Sequence, residues 1–396
     1  MIAAALLAGG AVRAQPVSAA HSDPLNFDPL VRQGYQRFYS MDFDGAWRIF
    51  SQVAHEHPQD AMALDYLQLT AVFRSLYSLD LLDTTYYAHD SFLSNKRDTP
   101  VPAAERDQIE GLTNRIVAMC DAELRSNPND KNALFARGFA EGMHAVFIVL
   151  ADHQFAKGAR QGLDARNDSE AVLKLDPQYA DAEMAVGIQQ FASASLPGWL
   201  RWIVGMMGAG GSKQKGIALL RDAAAHGVVT SVESRTALSL FLRHDGRYPE
   251  ALEVERGLAA EYPHDYLFRL EVANLLKDEG HGEEAMAAYK QVIADAQRPG
   301  YFIDARLQMA WFGLADTECG YNQIQAARDG YMQAAEQQLC SDWLRKRAQL
   351  NAGEMDDLLH DRQQAIRMYQ MAAAPGGDQS QADAARRYMH TPFAGH

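Results

Sequence analysis

Glu141-Gly-Met-His144 sets a carboxylate and an imidazole three residues apart, which on a helix places both on one face. That is half of a carboxylate-bridged di-metal site. The other half would be a second Glu-x-x-His and two further Glu on facing helices, and the sequence holds no second copy. Asp152 and His153 lie about two turns further on, at an expected helix end. Gly208-Ala-Gly-Gly-Ser-Lys213 has residues of a phosphate loop without their order. It lacks Gly-x-x-x-x-Gly-Lys-Ser/Thr and follows no strand, so it reads as a lead into the next helix. The remaining histidines are scattered singly, none with a Ser or Cys partner in a nucleophile motif. No catalytic residue, metal or cofactor is expected, and the chain reads as a binding protein rather than an enzyme.

Composition narrows the partners. Of 396 residues, 47% are apolar and 22% charged, the balance of an ordered chain. A net charge of -14 argues against a nucleic-acid backbone as the main partner, because phosphate binding needs a positive stripe. Cys120, Cys319 and Cys340 read as unpaired helix residues. If 301–319 and 322–338 form one hairpin, about 17 residues of helix hold Cys319 and Cys340 roughly 25 Å apart, beyond disulfide reach.

The elements that must position any binding residue follow from repeated intervals. Ala251 of Gly-Arg-Tyr-Pro-Glu-Ala recurs 34 residues later as Ala285 of Gly-His-Gly-Glu-Glu-Ala. Ala46, Phe50 and Pro58 are spaced by four and twelve from the Ala, with Gly34 twelve before it and Asp42-Phe43-Asp44-Gly45 as the tight turn. The twelve-residue step returns at Ala165 to Pro177 and Ala251 to Pro263, and the four-residue step at Ala285 to Tyr289 and Ala365 to Tyr369. Pro128 to Gly138, Pro177 to Gly187 and Pro263 to Ala273 are each ten apart, linking one unit's end to the next unit's crossing point. Small residues recur where two helices cross closely, since bulky side chains would force them apart. The intervals give hairpins over 27–60, 61–128, 129–177, 178–227, 231–263, 265–299, 301–338 and 341–374. Gln381-Ala-Asp-Ala-Ala-Arg-Arg-Tyr-Met, within 378–391, follows Pro375-Gly376-Gly377 as a capping helix with a polar outer face.

In these intervals the chain resembles the tetratricopeptide-repeat family, most plainly over 246–263 and 280–293 and loosely over nearly its whole length. The stretches 175–187, 195–205 and 210–224 are similar to a bacterial group of exported tetratricopeptide proteins, and more distantly to eukaryotic members linked to mitochondrial outer membranes and lipid bodies. The resemblance implies an all-α solenoid of about eight hairpins that binds a protein or peptide in its concave groove. It supplies no catalytic residues. Counting exposed positions of the first helices off the anchors gives Tyr35, Arg243, Asn274 and Lys277 as groove-facing. Members that bind chaperone tails present a repeated Lys and Asn clamp. Here Leu270 and Thr236 stand at the further clamp positions, so that specificity is not implied.

Two insertions interrupt the repeats. In 196–212, Trp199, Trp202, Ile203, Met206 and Met207 fall mostly on one helical side, suited to internal packing, to a partner or to an apolar ligand pocket walled by 196–209. Membrane contact through 196–209 ranks last, because only Arg201, Lys213 and Lys215 are basic nearby. In 81–102, Tyr86, Tyr87 and Phe92 suit either a binding loop or rings lying in the core. At the N-terminus an apolar run ends in Val12-Arg13-Ala14 before Gln15, the small-x-small pattern of an exported protein's signal peptide (1–14), although no basic residue precedes the run. Residues 15–26 are then expected to form a disordered linker, and the mature chain is expected in the periplasm or outside the cell. No later stretch is expected to reach the about 20 apolar residues of a membrane span.

Overall fold

The computed structural model describes residues 21–86, 100–196 and 210–395. Among the described residues the α-helices pair into eight consecutive hairpins: α1 (Pro29–Phe38) with α2 (Phe43–Glu56), α3 (Ala61–Ser78) with α4 (Ala103–Ser126), α5 (Lys131–Leu150) with α6 (Phe155–Leu175), and α7 (Glu183–Ser195) with α8 (Lys213–His226). Then follow α9 (Ser231–His244) with α10 (Tyr248–Glu261), α11 (Tyr266–Asp278) with α12 (Gly282–Ala296), α13 (Leu307–Gly320) with α14 (Ile324–Glu336), and α15 (Asp342–Leu358) with α16 (Arg362–Ala372). A last helix, α17 (Gln379–His390), packs on α15 and α16. Each helix touches mainly its neighbours in sequence, and the described residues contain no strand. This is an all-α solenoid.

Local chemistry sets the helix ends. The prolines of the repeat sit in turns between hairpins, and Asp60, Asp130 and Asp265 follow two residues later as N-caps whose carboxylates accept the first free helix N–H groups. Inside the hairpins the turns share a different device, a residue in the left-handed region just past the first helix. Glycine fills it at Gly246 (φ 71°) and Gly280 (φ 88°), but Met41, His153, Asn322 and His360 adopt it as well. The first hairpin's turn therefore lies at Tyr39–Met41, ahead of the expected Asp42–Gly45. Asp42 is the N-cap of α2, accepting from the Gly45 N–H at 2.9 Å.

The repeated small and aromatic residues form the crossings. Ala46, Ala165, Ala251, Ala285 and Ala365 are buried, as are Phe50, Tyr289 and Tyr369. A β-carbon on Gly34 would meet the Phe50 ring at 2.2 Å, and one on Gly353 the Tyr369 ring at 2.7 Å, so a larger residue would drive the paired helices apart. Cys120, Cys319 and Cys340 are free thiols, with Cys340 in the turn before α15 and not in a helix. One expectation on length is corrected: α5 is long and apolar enough to cross a membrane. Its residues instead fill the core between α3, α4 and α6.

The N-terminal units do more than begin the array, because they dock against turns far along the chain. The Ser22 hydroxyl donates to Asp181, and the Tyr39 hydroxyl donates to Glu233 at 2.7 Å while its ring lies 4.9 Å from that of Tyr262. The Tyr77 hydroxyl donates to the Asp304 carbonyl at 2.5 Å. Helix α3 is buried on nearly every side as a result.

Candidate functional site

A strut of chain, Tyr77 to Thr85, leaves the end of α3 and crosses the face built by the first helices of the last four hairpins. Its near end is held through backbone and one carboxylate. Arg306 donates to the Ser78 carbonyl at 3.2 Å and Trp343 Nε1 to the Leu79 carbonyl at 2.9 Å. Asp80, itself left-handed at φ 56°, accepts from Gln308 Nε2 (2.8 Å) and from the Ser341 N–H (2.9 Å). These contacts span more than 225 residues of sequence, so they tie hairpins two, seven and eight together.

The far end, Asp83-Thr84-Thr85, enters a polar groove. Arg243 near the end of α9 is buried, and its Nε donates to Asp278 at 2.7 Å. Its Nη1 reaches Thr84 Oγ1 (2.8 Å) and Glu271 Oε2 (3.2 Å), while Nη2 reaches Thr85 Oγ1 (3.1 Å). Thr84 donates its N–H and its hydroxyl to the two oxygens of Glu271, each at 2.8 Å. One turn on in α11, Asn274 donates to Asp83 Oδ1 at 3.2 Å and accepts from the Tyr289 hydroxyl at 2.5 Å. Burial, then the neighbouring Asp83 carboxylate, pushes Glu271 above the usual carboxylate range. The same cause, with Glu271 second, lifts Glu255 to about 8.

Beyond Thr85 the groove narrows to a cavity of ≈ 20 Å³ lined by Asp83, Thr85, Lys277, Phe312, Asp316 and Arg347 among others. That is room for about one water molecule. Lys277 Nζ stands 3.9 Å from Asp316, and the Arg347 guanidinium lies 5.1 Å from the centre of the Phe312 ring. A larger hollow of ≈ 370 Å³ lies elsewhere, with a described lining from α12, α13 and α14 that includes Ile293, Trp311 and Leu314. The chemistry available in the groove is hydrogen bonding and ion pairing. Glu141 and His144, the half-site of the sequence, lie on α5, where His144 Nδ1 pairs with Gln161 at 3.0 Å.

The four groove residues read from the sequence therefore have different surroundings. Arg243 and Asn274 stand in the groove, but both are buried and bound to the chain's own strut, so their exposure is corrected. Lys277 is on the cavity wall, with its side chain one-fifth exposed. Tyr35 is elsewhere, between Phe50, Tyr39 and Tyr66, with its hydroxyl buried and without a partner. Counting along α1 set its register, but not the docking of Tyr39 onto Glu233 that closes the face above it. Sequence reasoning missed Asp83, Thr84 and Thr85, whose partners lie 158 to 191 residues away where no local pattern signals them, and Phe312, Asp316 and Arg347, which line the same cavity from later hairpins. Trp199, Trp202, Met206, Tyr87 and Phe92 lie outside the described residues.

Stacked two-helix units with small and aromatic crossings, a polar groove along the first helices and a capping helix define an all-α solenoid of tetratricopeptide-like hairpins. No known family model and no curated protein matches the chain. Among solved structures it is similar to a chain of the APC/C hetero-tetramer Cut9-Hcn1, with TM-score 0.52 and 12% identity over 93% of this chain and 56% of that one. The chain thus spans little more than half of that structure's length. Yeast Tom70 is similar with TM-score 0.43 and 11% identity (91% and 88% covered), as is human IFIT1 in its dimer with PPP-AAAA, with 0.46 and 11% (92% and 80% covered). At 12% identity the likeness to the Cut9-Hcn1 chain extends to the fold alone.

Proposed function

We propose that the protein is an interaction scaffold that receives a segment of a partner polypeptide on the first-helix face, at the cavity beyond Thr85. The observation that carries this reading is the convergence of Lys277 on α11, Phe312 and Asp316 on α13, and Arg347 on α15 at that one place. Three successive hairpins each contribute there, the arrangement by which a solenoid reads an extended chain. Arg347 over the Phe312 ring, with Lys277 on the same cavity wall, suits a polypeptide with an acidic group beside an apolar side chain. The Thr84 hydroxyl is held between Glu271 and Arg243, and binding rather than turnover is the proposed activity.

Location in the bacterial cell envelope belongs to the same proposal and rests on the apolar run and small-x-small pattern at 1–14. Fractionation of cells producing the full-length chain checks it, with recovery in the cytoplasm alone as the contrary result. The alternative, a small-molecule or lipid-binding protein with a pocket walled by 196–209, rests on Trp199, Trp202 and Met206. A co-purifying lipid in native mass spectrometry would favour it over the scaffold.

For the scaffold, amine cross-linking from Lys277 in envelope extracts is the test. A partner peptide is expected on Lys277 of the intact chain and of Lys290→Glu, a control on α12. It is expected to be lost from Arg347→Glu. Equal recovery from all three would overturn the site.

A further inference from the structure

Among the described residues the strut is the polypeptide segment bound in this groove, so its residues show what the groove accepts. We infer that Asp83-Thr84-Thr85 is an internal stand-in for the partner, and that the groove takes in its place an extended peptide presenting a carboxylate followed by two hydroxyl side chains. This rests on the proposed scaffold role and specifies the partner's chemistry.

Three observations support it. First, the two ends of the strut are held differently. From Ser78 to Asp80 the contacts are to backbone carbonyls and to a carboxylate capped by Gln308 and the Ser341 N–H, a structural anchorage. From Asp83 to Thr85 they run through the groove side chains Arg243, Glu271 and Asn274, the kind of contact that another chain can reproduce group for group. Second, withdrawal of the tip strands no buried charge. Arg243 keeps Glu271 at 3.2 Å and Asp278 at 2.7 Å, and Asn274 keeps the Tyr289 hydroxyl. A site whose ions remain paired when its occupant leaves can be exchanged without the penalty of an isolated buried ion. Third, the space beyond the tip admits about one water, so a side chain entering toward Lys277 and Arg347 needs Thr85 to give way.

The groove is also selective. Glu271 uses both oxygens as acceptors, so it requires an N–H and a hydroxyl at the second position. Arg243 requires oxygen acceptors at the second and third, and Asn274 Nδ2 requires one at the first. Apolar side chains there would leave buried donors unpaired. A carboxylate at the second position would face Glu271 and be repelled.

The experiment uses the full-length chain and a labelled peptide with the strut's own sequence, Leu-Asp-Leu-Leu-Asp-Thr-Thr, read by fluorescence anisotropy. In the variant Asp83→Ala/Thr84→Ala/Thr85→Ala the internal tip no longer competes, and the peptide is expected to bind at least tenfold tighter than to the unaltered chain. A peptide with Val for both Thr should not bind either protein. If the triple variant loses its helical circular dichroism, Thr84→Val alone decides, with a smaller gain in the same direction. Helical variants that bind the peptide no better than the unaltered chain would overturn the inference. In that case a partner still cross-linked to Lys277 leaves the scaffold reading standing, whereas loss of both removes the groove as a site.

Discussion

Arg243 shows how one side chain can be both the deepest charge in a groove and the link between distant units. Its guanidinium is satisfied by two carboxylates and two threonine hydroxyls, which offset the cost of taking it out of water. Arg243→Met would deprive both Glu271 and Asp278 of their cation and leave the groove hydrogen bonds unmade, and urea unfolding should show a loss of about 3–5 kcal/mol. The left-handed turn residues give a prediction of opposite sign. An L-residue there costs about 1–2 kcal/mol, against roughly 0.5–1 kcal/mol for the extra freedom glycine brings to the unfolded chain. His360 is exposed and left-handed at φ 63°, so His360→Gly should stabilise the protein by about 0.5–1 kcal/mol in the same assay. No gain would mean that the His360 side chain holds the turn by other contacts. The sequence displayed this device only where glycine occupies it, at Gly246 and Gly280. At Met41 and His360 the residue type conceals the conformation.

At the scale of elements, the hairpins were legible because the rule that places them is local: a small residue, an aromatic one turn later, a proline at the far end. Each is visible within one unit, and each does in the structure what its chemistry suggests, from the Gly34–Phe50 contact to the Asp N-caps behind the prolines. The groove was legible in part. The first helices do present Arg243, Asn274 and Lys277 toward it, yet its occupant comes from an insertion whose docking depends on the whole array's curvature. Tyr35 failed as a groove residue for the same reason. The terminal element yields a further prediction. Helix α17 covers Leu350, Ala365 and Tyr369, and Phe393 donates its N–H to Asp357, the carboxylate that also holds Arg362 and Tyr369. A chain ending at Gly376 should expose that apolar face, lowering Tm and raising binding of a hydrophobic dye. An unchanged Tm would show that α15 and α16 are self-sufficient.

The molecule as a whole wraps its N-terminal units onto turns more than 150 residues away and buries many carboxyls in doing so. Burial raises Asp23 to about 6, Glu233 to about 7, Asp265 to about 7 and Glu255 to about 8, and pushes Asp65 up as well, with neither carboxylate oxygen of Asp65 partnered. Their folded-state values exceed the unfolded ones near 4, so the folded chain binds more protons. Their contribution to stability is complete below the unfolded values and is lost as pH rises through about 6 to 8. Asp176 and Asp295 work the other way, with lowered values whose stabilisation is lost in acid. Thermal melts should therefore give a higher Tm near pH 5.5 than at pH 8.5, values of roughly that order following from linkage. A Tm that rises steadily to pH 8.5 would contradict the burial of these groups. The seating of the strut tip in the groove is tested most directly by a double-mutant cycle between Thr84 and Glu271, in contact though 187 residues apart. With Thr84→Val and Glu271→Gln, measured singly and together by urea unfolding, a coupling of at least about 0.5 kcal/mol is predicted. Effects that simply add, within about 0.3 kcal/mol, would contradict it.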